Sequence, residues 1–206
     1  MKVPKYLLPQ IALGDLPSMC VVALIGAGTA GVYAVLHDQI TYTISPEYFT
    51  QVKFRQFHYA DVGLGDRMFV ATIGFLAGSS LGLIIAWFLA RRLIPHQPRS
   101  YAYRQVCLGF ACVLACGLLS GLLGFAYGLW RGPDADYSSW VGVLRQFDIT
   151  DTWSFVRVAY IHNASYLGGA VGLIVGPIIA ALFVTMWDIF GVTFRGILSG
   201  AETAEG

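Results

Sequence analysis

The sequence predicts an all-α integral membrane protein: a four-transmembrane-helix bundle, termini cytoplasmic (N-in/C-in), with an ordered outer loop. Three observations predict it. Four long stretches carry almost no charge. Charged residues make up 12% of the chain and apolar ones 56%, with a mean hydropathy of +0.64. Soluble domains carry about a quarter charged residues, so this chain lacks the polar surface to cover itself in water. Finally, each stretch repeats small residues at spacings of three and four: Ala23-Ala27-Ala30-Ala34, Gly74-Gly78, Gly117-Gly121-Gly124-Gly128 and Gly169-Gly172-Gly176. On a helix such residues share one seam, where backbones approach closely in lipid.

The first span covers about 18–36, with Asp15 and Pro17 as its start signal. Lys2, Lys5 and the small residues Ala27-Gly28-Thr29-Ala30 imitate a signal peptide, but the apolar run continues through Leu36, too long for one, and an uncut anchor is expected. The outer loop 37–65 follows. Ile40-Thr41-Tyr42-Thr43-Ile44 alternates like a short extended piece. Ser45-Pro46-Glu47 supplies a cap, a first-turn proline and an early acid, predicting a short helix over about 46–57. Its Tyr48, Phe49, Val52 and Phe57 would rest on the bundle rim as a lid.

Asp66 offers a cap for the second span, 68–90. A short basic loop, 91–99, leads to the third span, 106–130, and a second outer loop covers 131–151. Thr150 or Asp151 caps a helical run from Thr152, which would reach 39 residues at Phe190, about 58 Å at 1.5 Å per residue. The run must project from the membrane or bend near 163–169; the span proper is about 166–190, with Pro177 as a candidate kink. A small polar tail, 199–206, is expected to fray. The whole chain, 1–206, reads as one membrane domain.

Orientation rests on the density of Arg91, Arg92 and Arg99, with Arg104 just beyond, which marks the cytoplasmic side of a plasma (inner) membrane. Lys2, Lys5 and Arg195 fall on the same side, giving seven basic residues there against six opposite; local density, not the total, carries the bias. All four cysteines lie inside apolar stretches, so no outer disulfide framework exists. Cys112 and Cys116 read as small buried hydrophobes. A net charge of +1 gives no support to nucleic-acid binding. The expected partners are the lipid bilayer and either another membrane protein or a second copy, since small-residue seams serve packing within or between chains.

Followed outward, the four seams end at His37, Arg67, Arg131 and His162, which regular helices would gather at one membrane level. Buried cations need counter-charge or a ligand, and Asp38, Glu47, Asp61, Asp66, Asp134 and Asp136 are near in sequence. One reading is a salt-bridged rim that pins the loops. Another is a ligand site. Arg67 and Arg131 offer forked donors for an anion. His37 and His162, joined by His58 or Glu47, offer ligands for a transition metal such as zinc or copper. Haem between His37 and His162, with the arginines on its propionates, is a third candidate, though close seams leave it little room.

Other residues carry less. His96 reads as solvated. Asp188 is placed to pair with Arg91, Arg92 or Arg104, and the tryptophans mark the interfaces. Asn163-Ala164-Ser165 fits a glycosylation pattern but lies on a helix beside the membrane. Nothing matches a phosphate-binding loop, a serine elbow or a His-Glu helix motif, and mid-membrane polar residues of the kind transport requires are scarce. The expected function is a non-catalytic structural or assembly partner in a membrane complex. The alternative is an outward-facing binding protein for a metal, an anionic ligand or haem.

Overall fold

Each apolar stretch forms a helix longer than its hydrophobic pattern alone implies. A computed structural model describes residues 11–202, with side chains from 11 to 187; Lys2, Lys5 and the side chains of Asp188 and Arg195 lie outside these. The long helices are α1 (Leu16–Ile44), α3 (Asp66–Leu93), α4 (Arg99–Arg131) and α6 (Thr152–Glu202). All four are long and apolar enough to cross a membrane. Short helices fill the connections: a π-helical turn Tyr48–Lys53 running into α2 (Phe54–Gln56), and α5 (Val141–Gln146). Among the described residues there is no strand. The protein is an all-helical integral membrane protein.

Residues 40–44 are not extended but form the last turn of α1. The Thr41 and Thr43 hydroxyls donate to the His37 and Gln39 carbonyls at 3.1 and 2.9 Å, and Asp38 and Thr41 are buried. Packing against neighbouring helices overrides the alternating pattern. The helix expected near 46–57 is present over 46–56. Asp66 does not act as a cap: it is the first residue of α3, preceded by Gly65 at φ 86°. Asp151 does, accepting the Ser154 amide at 3.1 Å. α6 runs without interruption through 163–169 and Pro177 to Glu202, past the start of the expected tail.

The bundle is two antiparallel pairs: α1 lies chiefly on α3, and α4 on α6. Glycine permits both approaches. A Cβ on Gly78 would stand 2.5 Å from the Ala30 carbonyl oxygen, and one on Gly82 2.5 Å from that of Gly26. In the other pair, a Cβ on Gly124 would meet the Tyr160 carbonyl at 2.5 Å, and one on Gly176 that of Gly109 at 2.8 Å. Side chains at these positions would force the helices apart.

The contact lines differ in register from the spacing the sequence suggests. On α1 the line is Gly26-Ala30-Ala34-Asp38, in steps of four, against Ala86, Gly82, Gly78 and Gly74. On α6 it passes through Gly168, Gly172 and Gly176, while Gly169 faces open space.

The pairs meet differently at their two ends. Beside the short 94–98 connection, Met19, Ala86, Leu89, Leu93, Val106 and Phe110 form one apolar core across α1, α3 and α4. At the opposite end the 46–56 segment joins the pairs. Phe54 stacks on Phe69 of α3 at 4.2 Å, and Tyr48 packs on Phe155 of α6 at 5.4 Å. Glu47 accepts bonds from the Thr150 hydroxyl at 2.6 Å and the Asp151 amide at 2.9 Å.

Candidate metal centre

Steps of four along α1 deliver Asp38, not His37, into the seam opposite Gly74. One carboxylate oxygen of Asp38 would lie 3.2 Å from a Cβ on that glycine, so the missing side chain gives the carboxylate room. His37, one residue earlier, turns by about 100° around the helix toward α6. His162 reaches the same place from α6. His37 Nδ1 is 3.2 Å from Asp38 Oδ1, and His162 Nε2 is 3.9 Å from the same oxygen. The imidazoles meet edge to face, with centroids 4.7 Å apart.

The surroundings hold these groups in place. Thr41 Oγ1 is 3.2 Å from His162 Nε2, and Ser165 Oγ is 3.4 Å from His37 Nε2. Tyr48 of the 46–56 segment stacks on the His162 ring at 5.0 Å, and the Tyr166 ring lies tilted 6.0 Å from it. His162 is 2% exposed and Asp38 7%. Burial holds the Tyr48 phenol well above its ordinary value, with the Tyr166 and Asp38 charges acting the same way. Lys53, whose ammonium lies over the Tyr48 and Phe57 rings, is also near enough to feel Asp38. Burial lowers its pKa, and the Asp38 charge offsets part of that.

Of the four residues expected to converge, the structure brings His37 and His162 together and gives the two arginines other partners. Arg67 is exposed; it donates to the Gln39 carbonyl at 3.1 Å and the Thr43 hydroxyl at 3.2 Å, with Tyr42 under its guanidinium. It follows the side of α1 opposite to His37. Arg131 turns to the Asp136 carbonyl and lies over Tyr137. The proposed third ligands also sit elsewhere: Glu47 is bound to Thr150 and Asp151, and His58 packs on Tyr59. Two imidazoles in edge contact do not stand on opposite faces of a porphyrin, so the pair does not fit haem.

Among the described residues, the one group able to supply three metal-binding atoms is His37, Asp38 and His162, whose atoms all lie within 4.8 Å of one another. Ligands at about 2.1 Å from a tetrahedral ion stand about 3.4 Å apart, so small side-chain rotations would close this set. By sequence alone Asp38 is only a nearby counter-charge. The signal for it was present: a seam spaced by fours from Gly26 through Ala34 ends on it. Thr41 and Tyr48 had no such signal, because their roles depend on a helix end read as extended and a segment read as a lid.

Fold and site together define a four-helix integral membrane protein with a largely buried His-Asp-His cluster between its two helix pairs. Comparison with protein-family models, with curated proteins and with solved structures finds no match.

Proposed function

We propose that this protein binds a divalent first-row transition ion, of the zinc or ferrous class, through His37 Nδ1, Asp38 Oδ1 and His162 Nε2. The observation that carries the reading is the convergence of two imidazoles and a carboxylate, with Asp38 and His162 buried and His37 partly so. Such groups are costly inside a membrane protein unless a function retains them. Imidazole with carboxylate suits these ions, and a cation would neutralise the Asp38 charge where little water reaches it. The Thr41 hydroxyl is near enough to serve as a further oxygen ligand, and the Ser165 hydroxyl would fix the remaining nitrogen of His37.

The reading extends to placement in the bilayer. Both termini are cytoplasmic, with Arg91, Arg92 and Arg99 on that side of the plasma membrane. With the middle of α1, Ala30, at the bilayer centre, His37 lies about 10 Å above it. That is inside a hydrocarbon half-thickness of about 15 Å, under the outer 46–56 cap. The seams support small-xxx-small packing within the chain, which removes much of the reason to assign them to an assembly partner.

The test is metal content and Co²⁺ absorption of the full chain purified in detergent. One Zn²⁺ per chain is expected, exchangeable for Co²⁺ with visible ligand-field bands. His162→Ala and Asp38→Asn should lower retention at least tenfold, and Arg67→Gln should leave it unchanged. Equal zinc in parent and His162→Ala would sink the reading.

A further inference from the structure

Arg157 of α6 stands at the rim of the bundle with hydrogen-bonding capacity that the chain leaves unused. Its stem lies in a notch at Gly128 of α4, where a Cβ would come within 2.7 Å of Arg157 Cγ. The guanidinium lies 4.3 Å from the Trp153 ring and 5.9 Å from that of Phe125. Trp153 is itself fixed, its Nε1 donating to the Gly128 carbonyl at 3.0 Å. Arg157 Nε is buried with no hydrogen-bond partner, and among the described residues no carboxylate forms an ion pair with Arg157. A cation held in this way needs an anion or solvent. Arg157 comes five residues before His162, about 7.5 Å further along α6. With Ala30 again at the bilayer centre, it lies about 18 Å from that centre, just past a hydrocarbon half-thickness of about 15 Å and within the headgroup layer.

Next to it, toward the membrane interior, a cleft of about 410 Å³ runs between α1 and the α4–α6 pair. One wall follows α1 from Tyr33 to Ile44, about 16 Å, and the other follows α4 from Leu118 to Phe125. Phe125 therefore belongs to both features, lining the outer end of the cleft and flanking Arg157. Ile161, one turn from Arg157 on the same face of α6, lines the cleft as well. No lining residue is Lys, Arg, Asp or Glu. Ile40 is 63% exposed and Leu122 55%, so the cleft opens sideways toward lipid.

We infer that Arg157 and this cleft together bind one phospholipid from the leaflet on the side of the 46–56 cap, its phosphodiester on Arg157 and one acyl chain in the cleft past Phe125, Leu122 and Ile40. The apolar slot suits a plain acyl chain and selects nothing more polar; the selection lies in the head. A guanidinium offers parallel donors to two phosphate oxygens, and the Trp153 ring beside it keeps the fork in place. A free phosphate would satisfy the arginine and leave the slot unused, and an uncharged chain would do the reverse. A phospholipid joins the two halves in one molecule. The site shares His37 and Thr41 with the proposed ion site and does not depend on an ion being bound.

The experiment is native mass spectrometry of the full chain, delipidated in detergent and titrated with dioleoyl phosphatidylglycerol, with inorganic phosphate and oleyl alcohol as separate probes and zinc measured on the same samples. One saturable lipid adduct per chain is expected, with neither separate probe reproducing it at the same concentration. Arg157→Gln should weaken the adduct at least tenfold, the loss of a charge-assisted pair. Arg157→Lys should recover part of that, since it keeps the charge without the fork. Ile40→Trp, which fills the slot from the lipid side, should weaken binding as well. Adducts that never saturate overturn the proposal, as does equal binding by the parent and Arg157→Gln. Inorganic phosphate bound as tightly as the lipid assigns Arg157 to a free anion instead, and Ile40→Trp without effect removes the acyl chain from the cleft. Should delipidated Arg157→Gln melt well below the parent, Arg157→Lys and Ile40→Trp decide. Zinc absent from every sample, with the lipid adduct intact, would sink the ion site and leave this one standing.

Discussion

Glu47 shows how a single half-buried side chain can tie two distant parts of the chain. Its carboxylate accepts from the Thr150 hydroxyl and from the Thr150 and Asp151 amides, at the N-terminus of α6, where helix-end amides favour an anion. Partial burial raises its pKa, but these three bonds outweigh that and leave it below the ordinary 4.5. A lowered folded pKa means the contribution is fully present above 4.5 and is lost as pH falls through the lower folded value. Glu47→Gln should therefore melt below the parent at neutral pH, and the gap should close as pH falls below 4.5 through the lower folded-state value. A gap that stays constant across this range would show that the carboxylate's charge is not what matters. In the sequence, Glu47 was legible as an acid early in a helix; its partners, 103 residues away, were not. His37 and His162 could be read because each sits one turn beyond a small-residue track. The sequence does not single out Asp38, because steps of three lead to His37 and steps of four to Asp38, and only the neighbouring helix selects between them.

At the scale of elements, the same small residue means opposite things on different faces of one bundle. Gly78 of α3 lies where a side chain would collide with the Ala30 carbonyl, whereas Gly169 of α6 has nothing within 4 Å. Gly78→Val should cost about 3 kcal/mol through forced separation of α1 and α3. Gly169→Ala should be neutral or stabilising by about 0.5 kcal/mol, because alanine is the better helix former. Thermal unfolding in detergent checks the pair, and equal losses for both would contradict this register. The spans could be read from hydropathy alone, since lipid demands uninterrupted backbone bonding. Their ends could not, because α1 beyond Leu36 and α6 before Tyr166 are held by packing and by turns bonded to distant residues such as Glu47. The apolar count carries no record of such contacts.

For the whole molecule, orientation is the property most open to direct measurement. Cysteine placed at Gln97 or at Ser138 samples the two opposite ends of the bundle, and the native cysteines all lie within the long helices. In intact cells a membrane-impermeant maleimide should label Ser138→Cys and leave Gln97→Cys unlabelled until the membrane is opened. The reverse pattern would invert the molecule and place the His-Asp-His cluster toward the cytoplasm. Charge density around Arg91 and Arg92 supplies only an expected direction; the arrangement as two pairs was not readable, because all four seams look alike until their registers are matched.

The two helix pairs touch each other far less than α1 touches α3 or α4 touches α6, yet His37 and Asp38 belong to one pair and His162 to the other. An ion seated among them would act as a rivet through two otherwise loosely joined plates. Its arrival or departure would then register as stiffness between the halves, while each glycine-lined hairpin stayed unchanged.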